Sequence, residues 1–334
     1  MKTKQIKTIE KCDPNNINEQ IIHSNEPILL KNLVNDWPAV KACRKSITSS
    51  IQYLRKFATD NEISMLIGEP EYNGKLFYNS DHNGFNFKQK TTHLVTMLES
   101  ILSAQQDEKP EMIFMGSTNI DFCLPDFKSM NHLNIPNTKP IINTWIGSQT
   151  TVAAHFDEQD NIACVVAGKR RFTLFPPNQV KNLYISALDN GPGGRSMSLV
   201  DMKNPDFVKH PKFKTALEHV IVVELSPGDA IFIPSIWWHQ VEALAPLNML
   251  VNYWWDQKPR YGTSANMAFK HAVLSMRSLP QRQRDAWLEL FKYYIFNENE
   301  ADLSHIPDHN LGILNKDSKS AALKLKADLI ESLK

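Results

Sequence analysis

The chain has 334 residues, 42% of them hydrophobic, enough to bury one large core or one core with an appendage. Its 37 basic and 36 acidic side chains leave a net charge of +1, so no overall positive field draws it to nucleic acid. The four cysteines, widely spaced, exclude a disulfide framework and suit a reducing compartment; with no apolar run long enough to cross a bilayer and no apolar signal core in "MKTKQIKTIEKCDPNN", the expected location is cytoplasmic, with no membrane partner.

In chain order, "EPILLKNLVNDWPAV" reads as a short strand, Ile28 to Leu30, broken at Trp37-Pro38 and followed by a helix. Ile51, Leu54 and Ala58 recur at helical spacing in "SIQYLRKFATD", and "EISMLIG" is a strand. "THLVTMLESIL" sets Leu94, Met97, Leu98 and Ile101 on one helical face behind Thr92, a candidate cap. From Ile141 to Asp256, short runs rich in Ile, Val, Phe and Trp alternate with turn signals, as in an antiparallel sandwich or barrel. Within that stretch, Gly168 suits a tight turn between two strands, and Pro227-Gly228 suits the centre of a type II turn. After Pro259 the pattern is helical. Trp287, Leu288, Phe291, Tyr294 and Ile295 make one broad apolar face, and a last helix follows a cap at Asp317 or Ser318. These stripes must be covered by the β-rich part or by a second copy of the chain.

Chemistry concentrates in "TTVAAHFDEQDN". Side chains two apart on a strand share a face, so His155 and Asp157 can point at one spot while Phe156 packs behind them. An H-x-D pair arises by chance too often to prove anything alone. A third ligand is offered by His239 in "PGDAIFIPSIWWHQVEAL", at the end of a distant strand, although a lone histidine among Trp237, Trp238 and Val241 also reads as a hydrogen-bonded core residue. Two imidazoles and one carboxylate on one face of a metal form the facial arrangement of non-heme Fe(II) oxygenases, whereas a closed zinc site would want a fourth ligand.

The ordered segments "HFDEQDN", "GKRRFTLFPP", "PGDAIFIPSIWWHQVEAL" and "LVNYWW" resemble the cupin-like subgroup of the JmjC oxygenases, in the branch that contains an asparaginyl hydroxylase. The likeness extends over roughly residues 20–258. It implies a fold that is mainly β with flanking helices, a double-stranded β-helix of cupin or jelly-roll, JmjC-like type, plus a C-terminal helical segment. The expected organisation is an N-terminal α+β part over 1–140 packing on the barrel, the barrel core over 141–258, and a helical segment over 262–334 through which relatives dimerise.

The resemblance further implies that His155, Asp157 and His239 bind Fe(II) and that 2-oxoglutarate, the cosubstrate, chelates the iron. Arg170 is the candidate cation for the far carboxylate, since it shares strand parity with Phe172 and Leu174 and falls where relatives carry a lysine; the other reading places it with Lys169 and Arg171 in a solvated turn. Asn161 and Asn252 fall where relatives carry asparagines near the cosubstrate, and Trp254 shares a face with Asn252; their other reading is plain strand packing and polar satisfaction. Two positions depart from the pattern: Val152 replaces a threonine and Phe114 a tyrosine, with Thr151 or Thr144 as candidates to compensate. "GPGGRS" lacks the ending of a phosphate loop and reads as a flexible loop that could join a substrate lid. The expected function is a 2-oxoglutarate-dependent dioxygenase, a hydroxylase of a protein side chain. The alternatives are a metal-binding cupin-type protein without turnover, and a hydroxylase of RNA or a small metabolite. The expected partners are a protein or small-molecule substrate and a second copy in a homodimer.

Overall fold

Alternating β-branched and aromatic residues pair into two sheets in the computed structural model, which describes residues 4–189, 191–256, 261–297 and 303–334. The strands in chain order are β1 (Lys7–Ile9), β2 (Ile28–Leu30), β3 (Glu62–Gly68), β4 (Lys75–Leu76), β5 (Phe87–His93), β6 (Met112–Asn119), β7 (Ile141–Gly147), β8 (Thr151–His155), β9 (Asp160–Ala167), β10 (Arg170–Phe175), β11 (Ile221–Leu225), β12 (Ala230–Ile233), β13 (Trp238–Ala243) and β14 (Asn248–Trp255). Nine of them order as β1-β2-β12-β9-β14-β7-β6-β3-β5, and five as β11-β10-β13-β8-β4. The two sheets face each other in the jelly-roll manner.

Strand periodicity divides the core. Ala163, Val165, Ile231 and Leu250 of the larger sheet meet Phe172, Leu174, Val223 and Val241 of the smaller one and fill the lumen. Their neighbours in sequence, Cys164, Val166, Phe232, Met249 and Val251, turn to the opposite face and, with Tyr253, join the helical residues Val40, Ile51, Leu54, Met97, Leu98 and Ile101. Burying each such aliphatic side chain stabilises the fold by roughly 1.5–3 kcal/mol relative to exposure. Residues 1–140 supply strands as well as helices to this arrangement. β6 pairs with β7, and β2 pairs with β12, so the N-terminal part extends the larger sheet at both ends.

The helix expected behind Thr92 spans Leu94–Ser103, but its N-cap is His93, with no side-chain cap bond. Thr92 is held instead in β5, opposite Ile63 of β3; strand pairing runs up to the first helical residue and overrides the cap. Gly168 joins β9 to β10 at φ +73°, where a β-carbon would collide with Asn248 and the Leu247 carbonyl.

The Pro227-Gly228 turn is anchored from outside its own hairpin. Asp229, buried beneath it, accepts from Lys31 Nζ at 2.7 Å, from the Asn32 backbone N–H at 3.1 Å and from the Ser226 N–H at 3.0 Å. One carboxylate therefore ties the segment after β2 to the turn that launches β12.

Contacts divide the chain into two units, Met1–Asp256 and Gln257–Lys334. The expected boundary at 258 and the helical onset after Pro259 lie outside the described residues. The second unit carries helices over Ala265–Met276, Gln281–Phe291 and Lys319–Ser332, the last capped by Ser318 Oγ accepting from the Ala321 N–H at 3.3 Å. The expected stripe from Trp287 to Ile295 begins on an α-helix and ends on a π turn, Lys292–Phe296. None of the described residues in this unit is buried. No described helix is long and apolar enough to cross a membrane.

Replacing Asp229 with alanine leaves Lys31 and two N–H donors without their acceptor. We expect a loss of about 2 kcal/mol of folding stability with an unchanged denaturant slope, measured by urea unfolding.

Candidate metal centre

β8 and β13 are antiparallel neighbours, and their register sets His155 directly opposite His239. Asp157 lies just beyond the end of β8. Ligand atoms of the three residues fall within 4.8 Å of one another, with Asp157 Oδ2 3.7 Å from His239 Nε2 and the imidazole centroids 4.6 Å apart. Phe156 turns away and meets Trp238 edge to face at 5.0 Å, bracing the site from behind.

Each histidine hydrogen-bonds through Nδ1 to a backbone carbonyl two residues earlier, His155 to Ala153 and His239 to Trp237, both at 2.9 Å. A ring that donates from Nδ1 keeps its Nε2 lone pair free, as a metal ligand requires. Burial disfavours the charged imidazolium. It pushes His239 down to about 4, and burial together with the nearby His239 holds His155 well below the ordinary value. The pair is therefore neutral at neutral pH.

Asp157 is buried, and the guanidinium of Arg195 pairs with its Oδ1. Arg195 also donates to the Phe156 carbonyl at 3.3 Å and lies 5.8 Å from the ring of Trp254. It comes from "GPGGRS", the expected flexible loop, and the lone cation of that segment, midway in sequence between the ligand-bearing strands, is the signal that singles it out. The turn after β12 is a second missed feature. Ser235 and Ile236 bond to residues 157–160 on the other ligand-bearing segment.

Arg170 opens β10, opposite Ala243 on β13 and Leu225 on β11, and is 3% exposed. Lys169 and Arg171 bind Glu224 on the outer face, so Arg170 does not belong with them in a solvated turn. Its Nε has no hydrogen-bond partner, and no ion pair holds it among the described residues. Burial pulls its guanidinium down to about 10. A buried cation with no anion nearby is costly unless a ligand supplies one.

Asn252 Nδ2 donates to Asn161 Oδ1 at 2.9 Å, and both side chains are buried. Asn252 Oδ1 and the Nε1 atoms of Trp145 and Trp254 have no hydrogen-bond partner among the described residues, and the two indoles meet edge to face at 6.0 Å. The structure thus gathers Asn161, Asn252 and Trp254 around unfilled polar atoms. Val152 and Phe114 pack with Leu76, Met112 and Trp145 in one apolar cluster. Neither candidate for compensation reaches them. Thr144 Oγ1 donates to the Leu250 carbonyl at 3.0 Å, and Thr151 lies opposite Glu242, 3.5 Å from Lys203 Nζ, in the wall of an outer cavity of about 760 Å³.

Residues 14–261 match the family model described as the cupin-like domain. The chain is 23% identical over 317 residues to lysine-specific demethylase JMJ31 of Arabidopsis thaliana, covering 86% of this chain and 53% of that protein. It is 26% identical over 239 residues to lysine-specific demethylase 8 of Xenopus tropicalis, covering 69% and 48%. It is 25% identical over 308 residues to HSPB1-associated protein 1 of Homo sapiens, covering 82% and 57%. The chain spans about half the length of these curated relatives.

The neutral histidines fix a sign for the pH dependence of stability. Unfolding restores the ordinary histidine value of 6.5, so between that and about 4 the unfolded chain binds protons the folded chain refuses. We expect the urea midpoint of the metal-free protein to fall as pH drops from 7 to 5, with a shallower fall in a His155→Gln/His239→Gln double variant.

Proposed function

The chain belongs to the cupin-like domain family, and from that premise we propose that it is an Fe(II)- and 2-oxoglutarate-dependent oxygenase, a hydroxylase of a protein side chain. The observation that carries this reading is the pairing of two incomplete sites in one lumen. Three neutral or anionic ligand groups converge at one point, and a buried guanidinium in the same barrel has no counter-ion among the described residues. A divalent metal answers the first. A dicarboxylate that reaches from the metal to Arg170 answers the second.

His155 Nε2, His239 Nε2 and one oxygen of Asp157 would hold the iron, which when bound supplies oxygen activation coupled to decarboxylation of 2-oxoglutarate to succinate and CO₂. Arg170 would receive the far carboxylate through its planar fork. With Val152 and Phe114 apolar, that bidentate contact replaces hydroxyl donors rather than adding to them. Asn252 holds its amide by the bond to Asn161 and keeps Oδ1 for a donor, while Trp145 and Trp254 wall off water and retain free indole N–H groups. Arg195 stands at Asp157, on the loop between the ligand-bearing strands, and meets whatever approaches there.

That cation bears on the substrate. A methylated lysine side chain is positively charged, and a guanidinium against Asp157 and Trp254 repels it. Neutral or acidic side chains face no such barrier, which supports hydroxylation over demethylation. The names of two relatives favour the second reading, and one assay separates the two: mass spectrometry of peptide pools incubated with iron, cosubstrate and enzyme. Hydroxylation adds 16 Da, whereas demethylation removes 14 Da. RNA and small-metabolite pools run alongside test the remaining substrate classes. A cupin-type binder without turnover yields neither change and no succinate.

The same reading has residues 262–334 forming a homodimer. Support comes from the exposed apolar side chains there, including Leu274 (78%), Phe296 (71%) and Ile295 (56%), which water disfavours. Light scattering of the full chain should give twice the chain mass, and a Leu288→Asp/Ile295→Asp variant should give a monomer; a monomeric parent chain would refute this assembly.

For the pocket, we expect Arg170→Ala to weaken anaerobic 2-oxoglutarate binding at least about 100-fold while Fe(II) binding persists, read by the metal-to-ligand absorption band. Arg170→Lys should recover little, because no hydroxyl at 114 or 152 completes an ammonium's contacts. Replacing Asp157 or either histidine with alanine should abolish succinate formation.

A further inference from the structure

β12 ends at Ile233 and β13 begins at Trp238, so four residues decide where His239 stands. Three hydrogen bonds tie this turn to the segment that carries Asp157. The Ser235 N–H donates to Asp160 Oδ1 at 2.9 Å, Ser235 Oγ donates to the Glu158 carbonyl at 2.8 Å, and the Ile236 N–H donates to the Asp157 carbonyl at 2.9 Å. Ile236 adopts φ +66°, a left-handed conformation that a β-branched residue rarely takes. Such a conformation persists only where surrounding bonds over-determine it.

On its far side the turn reaches the second ligand. The Trp237 carbonyl accepts from His239 Nδ1 at 2.9 Å and so sets the plane of that ring, while Trp237 Nε1 donates to the Asn25 carbonyl at 3.0 Å. One strained turn therefore grips the backbone of Asp157 and the imidazole of His239 together. Of its bonds to the Asp157 segment, the one to Asp160 is made by an acceptor side chain outside the ligand trio.

We propose that Asp160 is a positioning residue for the metal centre: through Ser235 it locks the turn after β12 to the Asp157 segment, so that Asp157 and His239 face each other before a metal arrives. The proposal rests on the metal reading above. Asp160 acts through the backbone of Ser235, and its work is to remove loop freedom that metal binding would otherwise have to freeze. The bond asks only for an oxygen acceptor at Oδ1. Asparagine supplies one and alanine does not.

The test is a Co(II) titration of metal-free wild type, Asp160→Asn and Asp160→Ala, followed by visible d–d absorption, with thermal melts of the same metal-free proteins. We expect Asp160→Asn to bind within about threefold of wild type, and Asp160→Ala to bind at least about tenfold more weakly with a shifted d–d band, all three melting cooperatively. Equal affinity and spectra for Asp160→Ala and wild type would overturn the proposal, as would equal losses in both variants. An Asp160→Ala chain with no cooperative melt would make Asp160 a folding residue and overturn it too. Failure of wild type itself to bind cobalt would instead remove the metal reading beneath it.

Discussion

The antiparallel pairing of β8 with β13 is the constraint on which the rest depends. It sets His155 opposite His239 and so brings together two imidazoles that are far apart in sequence. Backbone hydrogen bonds fix that register, and a slip of one residue would send one ring to the opposite face. The Nδ1 bonds then fix the rotation of each ring, and the Phe156–Trp238 contact closes the back of the site. What remains is a set of lone pairs aimed at one volume. That volume lies at the end of a lumen lined by Phe172, Leu174 and Val241 and roofed by the larger sheet.

Electrostatics in this lumen are uneven by construction. Low polarizability around the histidines keeps them neutral, and the same surroundings make an unpaired Arg170 expensive. On the function proposed above, a bound metal would meet the first feature and a bound dianion the second. The apolar cluster of Val152, Phe114, Leu76 and Met112 then makes sense as the complement of an arginine. A guanidinium fork brings several donors of its own and needs fewer hydroxyls around the carboxylate it binds.

Much of this was legible in the sequence, and particular residues show where legibility stopped. The convergence of His155, Asp157 and His239 could be expected from two strand ends together with the family resemblance, and the burial of Arg170 from the alternation that links it to Phe172 and Leu174 and from its match to a family position. The same alternation misleads along β8. A bulge there sets Val241 opposite Val152 after His239 opposite His155, an odd step against an even one, so Thr151 ends on the outer face. Thr144 fails as a compensating hydroxyl for a related reason: a buried threonine takes the nearest carbonyl, here that of Leu250. Arg195 and the Asp160–Ser235 bond join loops whose meeting depends on the register of distant strands. No local spacing encodes that.

The C-terminal unit shows the converse. Its helices were readable from periodicity and caps, whereas the exposure of their apolar side chains, such as Leu274, Ile295 and Phe296, is the support for the homodimer proposed above.

On the proposed function, two imidazoles and a carboxylate hold one metal ion with positions left for a chelating keto acid. X-ray absorption spectroscopy of the anaerobic Fe(II) protein, before and after 2-oxoglutarate, tests it most directly. Outer-shell scattering from two imidazoles per iron is expected in both spectra, with a five-membered chelate ring appearing only in the second. Iron bound without imidazole scattering, or a coordination shell that the keto acid leaves unchanged, would contradict it.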